Sequence, residues 1–152
     1  SFFLHDAPKK DTPIILLAGG TGFAPVKSML EHIFQTENTR FTHNTIRLYW
    51  GARTRDGLYL SNLAEKWAAE NENFSYIPVL SEPLITDDWQ GRTGLVHQAV
   101  INDMNTLSDC QVYACGAPAM VKAAFDDFTH QRNLQSENFF SDAFVPSKPA
   151  TA

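Results

Sequence analysis

A cluster of small residues near the start of the chain has the composition of an anion-binding loop. It follows an apolar run, precedes a segment of helical periodicity, and consists of Gly19, Gly20, Thr21 and Gly22, with Pro25 close behind. Glycines let backbone N–H groups approach an anion, and the dipole of a following helix favours negative charge. The cluster therefore indicates a phosphate or pyrophosphate site, although a tight turn without a ligand uses the same residue types.

The loop matches the dinucleotide-binding pattern G-x-G-x-x-G only in part. Gly20 and Gly22 satisfy its first half, but Pro25 takes the place of the third glycine. No acidic residue ends the second apolar run, where such enzymes hold the ribose. An ordinary nicotinamide dehydrogenase is therefore disfavoured.

Five short apolar runs alternate with segments of helical period, which is typical of a parallel sheet with crossover helices. We predict strands over residues 14–18, 46–50, 74–80, 111–115 and 138–141. Helices are expected after Pro25, after Ser61 as N-cap, over 94–101 and after Pro118, with residues 82–91 as a polar connection. The predicted fold class is α/β, a Rossmann-like five-stranded parallel sheet with helices on both faces and strand order 3-2-1-4-5.

Parallel strands place their carboxyl ends at one edge of the sheet, so the segments that follow them converge. Those segments comprise residues 19–25, 51–55, 81–83, 115–118 and 142–144. One site built from several loops is therefore expected at that edge.

Composition and charge narrow the function classes. The formal net charge of −5 argues against nucleic acid and anionic membrane as partners, because both select clustered Lys and Arg. No run approaches the length of a membrane span, so we expect no membrane insertion and a cytoplasmic location. The two cysteines, Cys110 and Cys115, are expected to be reduced, and the five scattered histidines are explained by surface or cap positions rather than a metal site.

Several motifs, in this order and spacing, resemble those of the ferredoxin–NADP reductase superfamily, especially bacterial NAD(P)H:flavin reductases and the reductase components of multicomponent oxygenases. They are residues 18–25, 48–53 with 58–59, 89–94, 112–118 with Met120, and 141–144. The resemblance implies a two-domain enzyme, in which a preceding β-barrel holds FAD and this module delivers NADH or NADPH. It further implies that residues 1–11 end the linker from the flavin domain, 12–146 form the NAD(P)-binding domain and 147–152 are a disordered tail.

The resemblance also implies roles for individual residues. Cys115 would lie beside the reacting carbon of the nicotinamide, and Phe144 would cover the flavin face; simple core packing explains either residue as well. The implied cofactor-binding residues, with Thr21 nearest the nicotinamide, are Gly19, Gly20, Thr21, Gly22, Pro25, Gly51, Arg53, Arg55, Gly116, Met120 and Asp142. Asp142 is equally well explained as a turn former.

The choice between NADH and NADPH depends on the charges after the second strand. Arg53 and Arg55 are suited to bind a 2′-phosphate, which favours NADPH. Asp56 and Glu82 bring negative charge to the same edge, and this favours NADH, our preferred assignment.

The resulting hypothesis is a module that passes hydride from nicotinamide to a flavin, and on to a flavin, ferredoxin or iron–sulfur acceptor; alone the chain is expected to be inactive. A reductase that releases reduced flavin and one that feeds an oxygenase through a ferredoxin domain differ only upstream of this sequence. A non-catalytic nucleotide-binding regulatory module remains an alternative. A flavodoxin-like phosphate receiver would need acidic or hydroxyl-rich loops where this chain has glycines.

Overall fold

The computed structural model describes residues 11–34 and 44–143, which form a sheet of parallel strands with helices on both faces. Within these ranges the strands are β1 (Ile14–Gly19), β2 (Ile46–Ala52), β3 (Phe74–Leu80), β4 (Arg92–Thr93), β5 (Gln111–Gly116) and β6 (Phe139–Ala143). The helices are α1 (Phe23–Ile33), α2 (Ser61–Glu70), α3 (Val96–Asp103) and α4 (Pro118–Gln131).

The sheet order in the described part of the chain is β4-β3-β2-β1-β5-β6, with every neighbouring pair parallel. The prediction of five strands is therefore wrong, because β4 adds a sixth strand at the edge beside β3. The other five strands stand in the predicted relative order. A strand of two residues is too short to show a periodic pattern, and β4 exists only through its pairing with Val79 and Leu80.

Both faces of the sheet are buried, which explains the nearly continuous apolar sequence of β1. Leu16 and Ala18 pack into the core beneath α1 and α2, whereas Ile15 and Leu17 pack into the core beneath α3 and α4. The carboxyl edge thus belongs to a sheet that helices cover on both faces.

Two local predictions about polar side chains are wrong. Ser61 is the first residue of α2 and not its N-cap, because its hydroxyl oxygen lies 2.9 Å from the hydroxyl oxygen of Tyr76. His97 is buried on α3, and its Nε2 lies 2.9 Å from Oδ2 of Asp127 on α4. Both partners are distant in sequence, so local patterns do not reveal them.

Most of the residues at the two ends of the chain lie outside the part that the structure describes. The predicted linker, apart from Asp11, and the predicted tail at 147–152 lie outside the described residues. Among the residues that are described, no helix is long and apolar enough to cross a membrane.

Candidate nucleotide-binding site

The carboxyl ends of β1 and β5 approach each other so closely that side chains are excluded between them. A Cβ atom on Gly116 would lie 3.3 Å from the backbone nitrogen of Gly19 and 2.5 Å from Cε of Met120. A Cβ atom on Gly19 would lie 2.9 Å from the same methyl group. The structure therefore brings these three predicted site residues together, with the Met120 methyl group against both glycines.

Gly20 and Gly22 are required for different reasons. Gly20 has φ +55°, a conformation that strains residues with a side chain, and nothing lies within 4 Å of its Cβ position. Gly22 has an ordinary φ of −65°, but a Cβ atom there would overlap the carbonyl oxygen of Cys115. The loop is thus held directly against the end of β5.

The start of α1 offers backbone donors to an anion. Gly22 precedes the helix and has no side chain to cap it, and Pro25 lies in the first turn as predicted. The first N–H groups of an α-helix have no partner within the helix. Pro25 has no N–H, and the 3-10 turn over Gly20–Gly22 uses some of the neighbouring donors internally. An anion at this point would therefore meet the remaining N–H groups and the positive end of the helix dipole.

Cys115 lies at the centre of this edge and is 3% exposed. Burial, aided by the negative charge of Asp142, raises the pKa of its thiol from 9.0 to about 11. Asp142 is the register partner of Cys115 on β6, so these two predicted site residues are neighbours. The thiol is therefore protonated at neutral pH and acts as a small, uncharged, polarisable group. Phe144 lies outside the described residues.

The residues after β2 form a second group. Gly51 is buried, and a Cβ atom there would lie 2.6 Å from Cβ of Val96. The absence of a side chain at Gly51 therefore lets α3 pack closely against β2. Arg53 is exposed and forms an ion pair with Glu82, at 3.1 Å between the guanidinium and a carboxylate oxygen. Glu82, whose charge favours NADH, thus contacts Arg53, whose charge favours NADPH.

Arg55 is held by the connection between β3 and β4. Its guanidinium donates to the carbonyl oxygen of Asp87 at 2.7 Å and lies 5.4 Å from the ring centroid of Trp89. Trp89 donates its indole N–H to the carbonyl oxygen of Arg92 at 2.8 Å, which folds this connection down. Arg53 and Arg55 therefore have separate partners.

Trp50 is a site residue that sequence reasoning missed. An apolar strand residue is ordinarily explained by core packing, yet the indole N–H of Trp50 donates to the carbonyl oxygen of Gly20 at 3.0 Å. The sequence shows only that Trp50 ends the predicted strand 46–50, which is expected beside strand 14–18. In the structure Trp50 is the register partner of Ala18, and Ala18 lies two residues before Gly20. A tryptophan on a strand beside the glycine loop is positioned to reach that loop.

Comparison with known proteins identifies the family. Residues 16–126 match the model of the oxidoreductase NAD-binding domain. The chain belongs to this family. The match confirms the predicted resemblance to the ferredoxin–NADP reductase superfamily and the assignment of the domain to a nicotinamide dinucleotide.

Named relatives extend the comparison. The chain is 46% identical over 148 residues to the CDP-6-deoxy-L-threo-D-glycero-4-hexulose-3-dehydrase reductase of Yersinia pestis, covering 97% of this chain and 42% of that protein. It is 39% identical over 141 residues to an NAD(P)H-flavin reductase of Vibrio harveyi, covering 90% of this chain and 55% of that protein. Each of these relatives is thus close to twice the length of the match or longer.

A solved structure supports the fold assignment. The Amycolatopsis cytochrome P450 reductase GcoB superposes with a TM-score of 0.81 at 28% sequence identity, covering 96% of this chain and 42% of that one. The described strands and helices therefore follow the NAD-binding fold of ferredoxin–NADP reductase-like proteins.

Proposed function

We propose that residues 12–146 are the NAD(P)H-binding domain of a flavin-dependent reductase, whose flavin domain precedes them in the same polypeptide. The observation that carries this proposal is the glycine loop lying against Cys115 and Gly116 where β1 and β5 end. A pyrophosphate binds those backbone N–H groups of the glycine loop and of the start of α1 that are not bonded within the turn, Pro25 having none. The nicotinamide then extends toward β5, where Gly19 and Gly116 leave its ring room.

The residues of this edge fit a dinucleotide on chemical grounds. The glycines have no Cβ atom to occupy the loop surface, and α1 has no capping side chain to compete with an anion. A flavin held by the preceding domain would supply the acceptor for the hydride of the nicotinamide C4. In this proposal, the residues of this chain orient the nicotinamide, exclude water and hold a neutral thiol beside the reacting carbon.

Cys115 and Asp142 have distinct parts in this proposal. The buried thiol of Cys115 packs against the nicotinamide and sets its distance from the flavin. Asp142 is exposed one strand away and accepts a hydrogen bond from the nicotinamide amide or the flavin. Phe144, at the end of the same segment, covers the flavin face until the nicotinamide displaces it.

The adenosine end of the dinucleotide extends over β2, and the favoured cofactor is NADH. The Arg53 guanidinium is paired with Glu82, so a 2′-phosphate would have to displace a carboxylate to bind it. The same carboxylate can accept a hydrogen bond from a ribose hydroxyl, which NADH supplies. The exposed guanidinium of Arg55 offers a planar surface to the adenine.

Two electron acceptors follow from the relatives. The 46% identity to a dehydrase reductase across 97% of this chain favours a reductase that passes electrons to a partner enzyme such as a dehydrase. The resemblance of the motifs to oxygenase reductase components adds a ferredoxin or iron–sulfur group as the carrier. The second candidate is a reductase that releases reduced flavin, which the identity to the Vibrio harveyi flavin reductase supports. Both share the hydride-transfer step proposed for this edge.

The kinetics of a Cys115→Ala variant test the proposed function. In the full-length flavoprotein, we expect flavin reduction by NADH to slow by about ten-fold or more while the Kd for NADH changes less than about two-fold, because the thiol positions the ring and contributes little binding. Stopped-flow absorbance at several NADH concentrations separates the two quantities. Cys110→Ala is the matched control, since Cys110 is also buried but precedes β5 at its opposite end. Equal loss in rate and binding would contradict the placement of Cys115 beside the reacting carbon.

A further inference from the structure

The carbonyl group of Gly20 is bonded to a side chain of the hydrophobic core. Its oxygen accepts the 3.0 Å hydrogen bond from the indole N–H of Trp50, which is fully buried on β2. The Trp50 ring stacks on Phe23, with ring centroids 3.9 Å apart and planes 7° from parallel. Because Phe23 is the first residue of α1, the helix that follows the loop also holds the indole in place.

This hydrogen bond, together with the 3-10 turn over Gly20–Gly22, fixes which way the peptide group between Gly20 and Thr21 faces. No cis peptide bond occurs in the described part of the chain, and the C=O and N–H of a trans peptide point in opposite directions. The N–H of Thr21 therefore points away from Trp50. The turn favours the same orientation, and the indole N–H of Trp50 adds a side-chain donor that holds it.

A reversed peptide would be unfavourable in the core and at the ligand. It would turn the N–H of Thr21 toward the buried indole N–H, leaving both donors without an acceptor. It would also present a carbonyl oxygen in place of an N–H at the outer surface of the loop, where it would repel a phosphate. Glycine at φ +55° does not by itself prevent such a reversal, since glycine adopts most backbone conformations.

We propose that Trp50 is a positioning residue for the dinucleotide: its indole N–H fixes the Gly20 carbonyl so that the Thr21 N–H faces the pyrophosphate. This inference rests on the proposed function and adds to it a residue of the core that does not touch the ligand. The loop is thus preorganised as an anion site before the nucleotide arrives, and no rearrangement of this peptide opposes binding.

Trp50→Phe tests the proposal because phenylalanine keeps an aromatic ring against Phe23 and removes the donor. The probe is ADP-ribose, which contains the pyrophosphate, titrated into the protein while backbone amide NMR shifts are followed. We expect the Kd for ADP-ribose to rise by about ten-fold, the value of one lost hydrogen bond at an anion site, with reduced binding shifts at Gly20 and Thr21. Binding of adenosine, which has no phosphate, is expected to stay within about two-fold.

Trp67→Phe is the matched control. Trp67 is a buried tryptophan of the same core cluster that packs against Phe34, with ring centroids 5.7 Å apart, and it lies on α2 away from the loop. Its substitution is expected to leave the affinity for ADP-ribose unchanged. If Trp50→Phe binds ADP-ribose as tightly as Trp67→Phe, or weakens adenosine equally, the inference about Trp50 is overturned.

A measurement on the unmodified protein covers the case in which Trp50→Phe does not fold. The indole N–H of Trp50 should exchange slowly with solvent deuterium, and more slowly still with ADP-ribose bound. Exchange that is as fast as that of an exposed indole, or that ADP-ribose leaves unchanged, would overturn the inference. If ADP-ribose moves none of the amides at 19–22 in the unmodified protein, the proposed function itself fails, which is a distinct result.

Discussion

The glycines of the loop between β1 and α1 show how much of a site is decided by single atoms. A G-x-G pattern in the sequence does not say which glycine provides a backbone conformation and which provides space. Gly20 provides the conformation, at φ +55°, and Gly22 provides the space, because its Cα faces the carbonyl group of Cys115. The sequence is sufficient to locate this loop and to predict an anion site, but the separate duties appear only in the packing.

Alanine at these two positions should therefore have different costs. Gly20→Ala is expected to lower the free energy of unfolding by about 1 kcal/mol through backbone strain alone. Gly22→Ala should cost about 2 kcal/mol or more, because the backbone of β5 or of the loop has to move. Urea denaturation followed by circular dichroism measures both. A Gly22→Ala change within about 0.5 kcal/mol of the unmodified protein would show that the close approach to Cys115 is absent.

At the scale of the elements, apolar periodicity was enough to predict all but one of the described strands. The five longer strands alternate with helices that cover both faces, so their burial is evident in the sequence. β4 was missed because two residues have no period, and the N-cap role of Ser61 was wrong because Tyr76, fifteen residues later, takes its hydroxyl. The convergence of loops at the carboxyl edge was predictable from parallel topology, whereas the ion pair of Arg53 depends on side-chain placement.

The ends of β2 and β3 carry the expected preference for NADH. Glu82→Gln should raise kcat/KM for NADPH relative to NADH by roughly three- to ten-fold, because it frees Arg53 and removes a charge that repels the 2′-phosphate. The change is moderate since both side chains are exposed and screened by solvent. Steady-state kinetics of the full-length enzyme with each cofactor provide the ratio. Glu70→Gln, an exposed change at the end of α2, is the control, and an unchanged ratio for Glu82→Gln would remove this acid from cofactor selection.

In the whole protein as proposed, the carboxyl edge of this sheet forms one side of a cleft and the flavin domain forms the other. The chain spans 42% of the length of the dehydrase reductase and 55% of the length of the flavin reductase. The sequence of this chain predicts how the nicotinamide is presented. In the proposed reductase the electron acceptor binds outside these residues, so their sequence does not indicate which acceptor is used.

Activity assays with two acceptors distinguish the proposed electron routes. If the full-length protein passes electrons through an iron–sulfur group, NADH oxidation should be at least about ten-fold faster with cytochrome c as acceptor than with free FMN. Chelation or loss of the iron–sulfur group should abolish the cytochrome c activity and leave flavin reduction by NADH intact. Rapid turnover with free FMN and none with cytochrome c would instead support the flavin reductase.

Titration of the uniformly ¹⁵N-labelled chain with NADH tests the central claim most directly. The proposed function predicts that the backbone amides of residues 19–22 and of Cys115 and Gly116 shift together with a single Kd, while amides at the amino end of the sheet, such as those of Ile14 and Gln111, stay unmoved. Shifts confined to other surfaces, or an unmoved glycine loop at saturating NADH, would contradict the assignment of this edge as the dinucleotide site.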